Sequence, residues 1–168
     1  GIRLKLGIEK VLFYSSSAGG TASIRVASIL HYGDVMAFCP QLDILCYREK
    51  SIKAIESIIG VSVNEDYLKR NEHIMSGMKA AENSAVNYVL FENLSSDIDE
   101  EYAMLMSDAF GKKMRLGVNY LSDNVLMWTY HANDGLMNAH TAQDYRALVP
   151  SLLDICSEYF NDNRKISI

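Results

Sequence analysis

The sequence predicts an α/β domain built on a mainly parallel sheet flanked by helices. Three observations carry that expectation. Short apolar runs alternate with longer stretches whose apolar residues recur at helical spacing. A chain of 168 residues is long enough for one domain with a sizeable core. Its 49% hydrophobic and 22% charged residues are ordinary globular usage, which excludes a disordered chain.

The elements follow in order. Lys10–Tyr14 is a short apolar run ending in small polar residues and reads as a buried strand. Thr21–His31 carries Ile24, Val26, Ala27, Ile29 and Leu30 in a pattern that suits a helix packed on a sheet. Asp34–Phe38 reads as a second buried strand, which Pro40 ends by forcing its neighbour into extended geometry. From about 41 to 84 the pattern is mostly helical, with an amphipathic Glu49–Ile59 and a second helix within Glu65–Glu82. Val86–Phe91 is a third buried strand, followed by a polar turn over Glu92–Asp97 and a helix over Asp99–Phe110. Met114–Tyr120 and Val125–Tyr130 are candidate strands, forming either one hairpin around Ser122–Asn124 or one true strand and a loop. A last helix covers about Thr141–Phe160, with Pro150 as a kink.

Several classes drop out. No apolar run reaches the roughly 18–20 residues of a membrane span. A net charge of −5 without a dense Lys/Arg stripe argues against a nucleic-acid partner. Cys39, Cys46 and Cys156 form no closed disulfide framework and no CxxC pair, so a reducing, cytoplasmic setting is expected. His131 and His140 lie too far apart for a histidine pair of metal-ligand spacing, so neither a metal nor a cofactor is expected. The acidic run Asp97–Glu101 reads as a solvated helix start, and Cys39 as an inert thiol.

The informative segment is Lys10–Arg25, KVLFYSSSAGGTASIR: a strand, a tight turn of small residues and a helix. A nucleophile elbow has this form, and it needs small residues two before and two after the nucleophile. Ser15 would require a small residue at Phe13, and Ser16 at Tyr14. Ser17 alone is flanked correctly, by Ser15 and Gly19, and Gly20 gives the helix room against the sheet.

This stretch resembles the elbow of the α/β-hydrolase superfamily, with Ser15 where that family most often has glycine. The following strand and its turn Ala37-Phe38-Cys39-Pro40-Gln41 resemble the esterase-like members linked to surface-polysaccharide or glycoconjugate modification. The resemblance is dense over residues 10–44 and implies the chain order nucleophile, acid, histidine. Asp97 and Asp99 follow the third strand, with Asp99 preferred as the acid; both would otherwise simply cap a helix. His140 precedes the last helix after a loop that would swing it back over the nucleophile, and it is preferred to His131. The backbone N–H of Ala18 would serve the oxyanion, and Ser16, Gly19 and Gln41 would line the substrate site.

The implied activity is that of a serine esterase, deacetylase or acyltransferase acting on a small-molecule or glycoconjugate acyl ester. The helices at about 41–84 would occupy the place of the family's cap. Only nine residues precede Lys10, whereas the resemblance implies an upstream half. The chain would then be a fragment from the C-terminal part of a longer hydrolase, a minimal variant, or a relic that keeps the elbow for its shape. A homo-oligomer or partner domain would be one source of that half. Two rivals stand beside this reading. One is a non-catalytic hydrolase-like interaction domain. The other is a nucleotide-sugar or phosphate-binding domain, for which strand, Gly-rich turn and helix start would form the anion site.

Overall fold

The computed structural model describes residues 7–43, 49–82, 86–132 and 149–162. Five strands form one sheet in the order β1-β2-β3-β5-β4: β1 Leu12–Ser16, β2 Asp34–Phe38, β3 Tyr88–Asn93, β4 Gly117–Tyr120 and β5 Val125–Tyr130. β1, β2, β3 and β5 run parallel, and β4 pairs antiparallel with β5, which decides for the hairpin over a single strand and loop. The helices are α1 Ser17–Leu30, α2 Glu49–Ile59, α3 Glu65–Arg70, α4 Glu72–Met75, α5 Gly77–Glu82, α6 Asp97–Ala109 and α7 Val149–Asp162. The protein is an α/β domain with a mainly parallel sheet. No described helix is long and apolar enough to cross a membrane.

Strand period and register sort the core into two layers. Val35 pairs with Tyr88 and Tyr88 with Val125, and two residues on Ala37, Leu90 and Met127 align likewise. These side chains join Ile24 and Ala27 of α1, Ala80 and Ala81 of α5, and Tyr102, Ala103 and Met106 of α6 in one core. The alternate residues Met36, Val89 and Leu126, then Phe38 and Phe91, pack with Cys156 and Tyr159 of α7 on the other face. Phe38 and Phe91 stack at 4.5 Å, and Phe91 lies 5.8 Å from Trp128, so an aromatic ladder crosses the three central strands.

Three expectations change. β1 is not buried on both faces: Leu12 and Tyr14 are 38% and 50% exposed, while Phe13 on the opposite face packs against the core. β3 runs on through Glu92 and Asn93, both buried, so the polar turn begins two residues later than its composition suggests. Pro150 stands in the first turn of α7, where its missing N–H costs no hydrogen bond, and no kink is needed there. Residues 141–148 lie outside the described residues.

α5 belongs to the core rather than to a separate layer. The Gly77 N–H donates to the Leu42 carbonyl at 2.8 Å, and Ser28 Oγ of α1 donates to the Ala80 carbonyl at 2.9 Å. α2, by contrast, buries none of its residues.

Burial on α7 makes an alkaline prediction. The thiol of Cys156 is pushed up from 9.0 to about 11 by burial, and the Tyr159 phenol is also raised, chiefly by burial. The unfolded chain therefore loses the thiol proton first, so stability is whole below about pH 9 and declines as pH rises toward 11. Thermal melts should show Tm falling across that window, and Cys156→Ala should flatten part of the fall. A Tm independent of pH there would contradict this burial.

Candidate active site

The ends of the parallel strands bring the expected residues to one edge of the sheet. In open α/β sheets the crevice beyond the carboxyl ends of the strands is where ligands bind. Ser17 follows β1 directly, Cys39 follows β2, Asp97 and Asp99 open α6 after β3, and His131 follows β5.

Ser17 has φ 52°. A non-glycine residue in the left-handed region is strained, and such strain concentrates at functional positions. The backbone folds this way because β1 must reverse into α1 within a single residue: Ser16 is still extended and Ser17 already begins the helix. The Ser16 side chain makes no capping bond, and the first turn of α1 carries no acidic residue. The helix start, including the Ala18 N–H, thus keeps its positive end toward the crevice.

The two glycines have separate tasks. A Cβ on Gly19 would lie 3.9 Å from Ser15 Cβ, an ordinary contact, so positions 15 and 19 face each other across the turn. A Cβ on Gly20 would lie 2.7 Å from Pro40 Cβ and 3.0 Å from Pro40 Cα. Gly20 therefore lets the turn after β2 lie directly on α1. There the Gln41 N–H donates to the Ser17 carbonyl at 3.4 Å, and the Thr21 hydroxyl donates to the Gln41 carbonyl. Gln41 is thus bound to the elbow through its backbone, while Ser16, Ala18 and Gly19 are exposed.

Ser15 Oγ is buried and has no hydrogen-bond partner among the described residues. Removing an unsatisfied hydroxyl forfeits no hydrogen bond. Ser15→Ala is therefore expected to change stability by less than about 0.5 kcal/mol, or to raise it. A loss above about 1 kcal/mol in denaturant unfolding would reveal a bond to this hydroxyl.

The two aspartates differ sharply. Asp97 is exposed at the start of α6, whereas Asp99 is fully buried, so the acidic run is not uniformly solvated. Ser96 Oγ caps the helix by accepting from the Asp99 N–H at 3.4 Å. Asn93 fixes the neighbouring loop: its amide donates to the Ala132 carbonyl at 2.9 Å, and its Oδ1 accepts from the Ala132 and Ser95 N–H groups. His131 is exposed, with Nδ1 3.4 Å from Ser95 Oγ. Its strand stands three positions from β1, about 14 Å at ordinary strand spacing. His140 lies outside the described residues.

Glu92 was not among the expected site residues. It lies on the same face as Leu90 and Met127, one step beyond them in the register, and its side chain is fully buried. The Cys39 sulfur and the Glu92 and Asp99 carboxylates all lie within 4.8 Å of one another. Cys39 also meets Asp99 in a hydrogen bond and lies 3.7 Å from the Tyr130 hydroxyl. Burial, then the charge of Asp99, raises Glu92 well above the usual carboxyl range. Burial, then the charges of Glu92 and Asp99, raises the Cys39 thiol. Three ionisable groups so close in a dry place cannot all carry charge without a proton or a cation between them. The only hint in the sequence is an acid ending an apolar strand, and composition reads that as a turn.

A cavity of about 510 Å³ lies among α3, α4 and α5, lined by Leu68, Met75 and Met78 with several charged residues. None of the expected site residues lines it. No protein-family model matches the chain, and no curated protein or solved structure matches it.

Proposed function

We propose that the protein is a serine hydrolase or acyltransferase acting on an acyl ester, with Ser17 as its nucleophile. The observation that carries this reading is the left-handed φ of 52° at a serine between a parallel strand and the helix after it. A nucleophile elbow sets its serine in just such a strained strand-to-helix turn, at a helix N-terminus. The order nucleophile, acid, histidine follows the parallel strands β1, β3 and β5 in turn, in keeping with the resemblance to α/β-hydrolases.

The Ser17 hydroxyl attacks the ester carbonyl while a histidine takes its proton. The Ala18 N–H donates to the oxyanion of the tetrahedral intermediate. Collapse of that intermediate expels the alcohol, which leaves with the proton from the histidine. Water then releases the acid product, or a sugar hydroxyl accepts the acyl group. His131 sits about 14 Å of sheet away from the elbow. His140, nine residues further on, has the chain length to return, and it is the base in this reading. The acid comes from the first turn of α6, from Asp97 or Asp99. The ester of a polysaccharide or glycoconjugate is the substrate class the resemblance favours, and the free thiols of Cys39 and Cys156 fit a reducing compartment.

A fluorophosphonate probe tests this directly. A single adduct on the folded protein, mapped to Ser17, supports the reading. A folded protein that takes no adduct removes it.

One observation favours an interaction domain as the second reading. Leu12 and Tyr14 on the outer strand, with Val26, Ile29 and Leu30 on α1, are exposed apolar residues. They fit a further protein layer packed beside β1. Light scattering of the purified chain, alone and with candidate partners, measures whether that edge is covered.

A further inference from the structure

We propose that Cys39, Glu92 and Asp99 form a site for a divalent cation of the zinc class. The site lies at the carboxyl end of the sheet, on the face covered by α6. It goes beyond the acyl-transfer reading and takes Asp99 from it, leaving Asp97 as that reading's acid.

The first support is convergence. The three donor atoms come from the turn after β2, the end of β3 and the first turn of α6, and they lie within 4.8 Å of one another. Zinc bonds of about 2.3 Å to sulfur and 2.0–2.2 Å to oxygen need separations near 3.5–4 Å, so a closure of about 1 Å suffices. The second support is Glu92. Its side chain is fully buried, it faces the cluster, and neither carboxylate oxygen has a hydrogen-bond partner among the described residues. Buried carboxylates are satisfied in native proteins, so two orphaned oxygens aimed at a thiol and a second carboxylate point to a missing electrophile.

The donor set narrows the ion. A thiolate beside two carboxylates disfavours calcium and magnesium, which take oxygen ligands, and suits zinc or a similar transition ion. A dication offsets most of the charge that one thiolate and two carboxylates bring when they lose their protons. Three protein donors leave the fourth tetrahedral position for water or another ligand. The Tyr130 hydroxyl, 3.7 Å from the sulfur, is placed to support the thiolate from outside the ligand set.

The experiment uses the whole chain, stripped with a chelator, equilibrated with zinc and dialysed. Elemental analysis should find a stoichiometric equivalent of zinc. At free zinc about 100-fold above the Kd, Tm should rise by about 5–10 °C. Cobalt(II) in its place should give the near-ultraviolet charge-transfer band of a thiolate ligand, and Cys39→Ser should abolish that band. Glu92→Gln keeps the shape of the side chain and should lose most of the zinc-dependent Tm shift. The proposal is overturned if the wild-type chain retains no zinc and shows no cobalt band. A stripped Glu92→Gln variant as stable as wild type would then assign the cluster to a shared proton. Equal zinc binding by Cys39→Ser would also overturn it, by placing the metal elsewhere. Fluorophosphonate labelling measured on the same samples separates this outcome from the fate of the hydrolase reading.

Discussion

Replacing Ser17 with glycine is expected to abolish fluorophosphonate labelling and ester turnover while leaving the protein as stable as before, or more so. Loss of the nucleophile in a serine-triad enzyme costs on the order of 10⁶-fold in turnover. The stability effect has the opposite sign because Ser17 holds φ 52°, which glycine adopts without its Cβ cost. A left-handed non-glycine residue is strained by about 1–2 kcal/mol, partly offset by the flexibility glycine adds to the unfolded chain. The net expectation is a gain of up to about 1 kcal/mol, or roughly 2–4 °C in Tm. A serine without a catalytic role would take no label even in the wild type, while the stability gain from relieving φ 52° would remain. Ser17→Ala serves as the companion: it removes the hydroxyl but keeps the strain, so labelling should vanish without the rise in Tm. Persistent labelling of both variants would show that the reactive serine is another one.

Gly20→Ala is expected to cost about 1–3 kcal/mol, the usual size of overpacking in a close contact. On a domain of this length that is a fall in Tm of about 3–10 °C. The added Cβ would meet Pro40 at 2.7 Å through its Cβ and 3.0 Å through its Cα, so the backbone after β2 must move. That movement would disturb the Gln41 N–H bond to the Ser17 carbonyl and the Thr21 hydroxyl bond to the Gln41 carbonyl. The damage should therefore reach labelling at Ser17 as well as stability. Gly19→Ala is the control, since its Cβ meets only Ser15 Cβ at 3.9 Å. Equal melting temperatures for the two variants would show that Pro40 yields without cost.

The contrast between these glycines shows what pattern can and cannot reveal. Spacing marks Ser17 through small neighbours at 15 and 19, and the structure confirms that these two positions face each other. The tighter steric demand falls one residue later, because Pro40 is twenty residues away in sequence and reaches α1 only through the β1–β2 pairing. Likewise, the β2 boundaries match the apolar run Asp34–Phe38 residue for residue, since a strand buried on both faces has uniform chemistry. β1 and β3 each begin and end two residues later than their apolar runs, because backbone pairing sets the strand ends regardless of side-chain polarity.

The sequence by itself determined the α/β class, a mainly parallel sheet, and the run of small residues in which Ser17 turns β1 into α1. Those features rest on local chemistry: apolar runs of strand length, helical spacing, and a run of small residues between strand and helix. Tertiary structure alone decided that β1 carries an exposed face, that Asp99 is buried and Asp97 is not, and that Glu92 stands within reach of Cys39. Those depend on register and layer packing, which join residues more than fifty positions apart and set their dielectric surroundings. Charge and polarity in a sequence do not reveal burial; only the element packed on top of a carboxylate decides whether water reaches it.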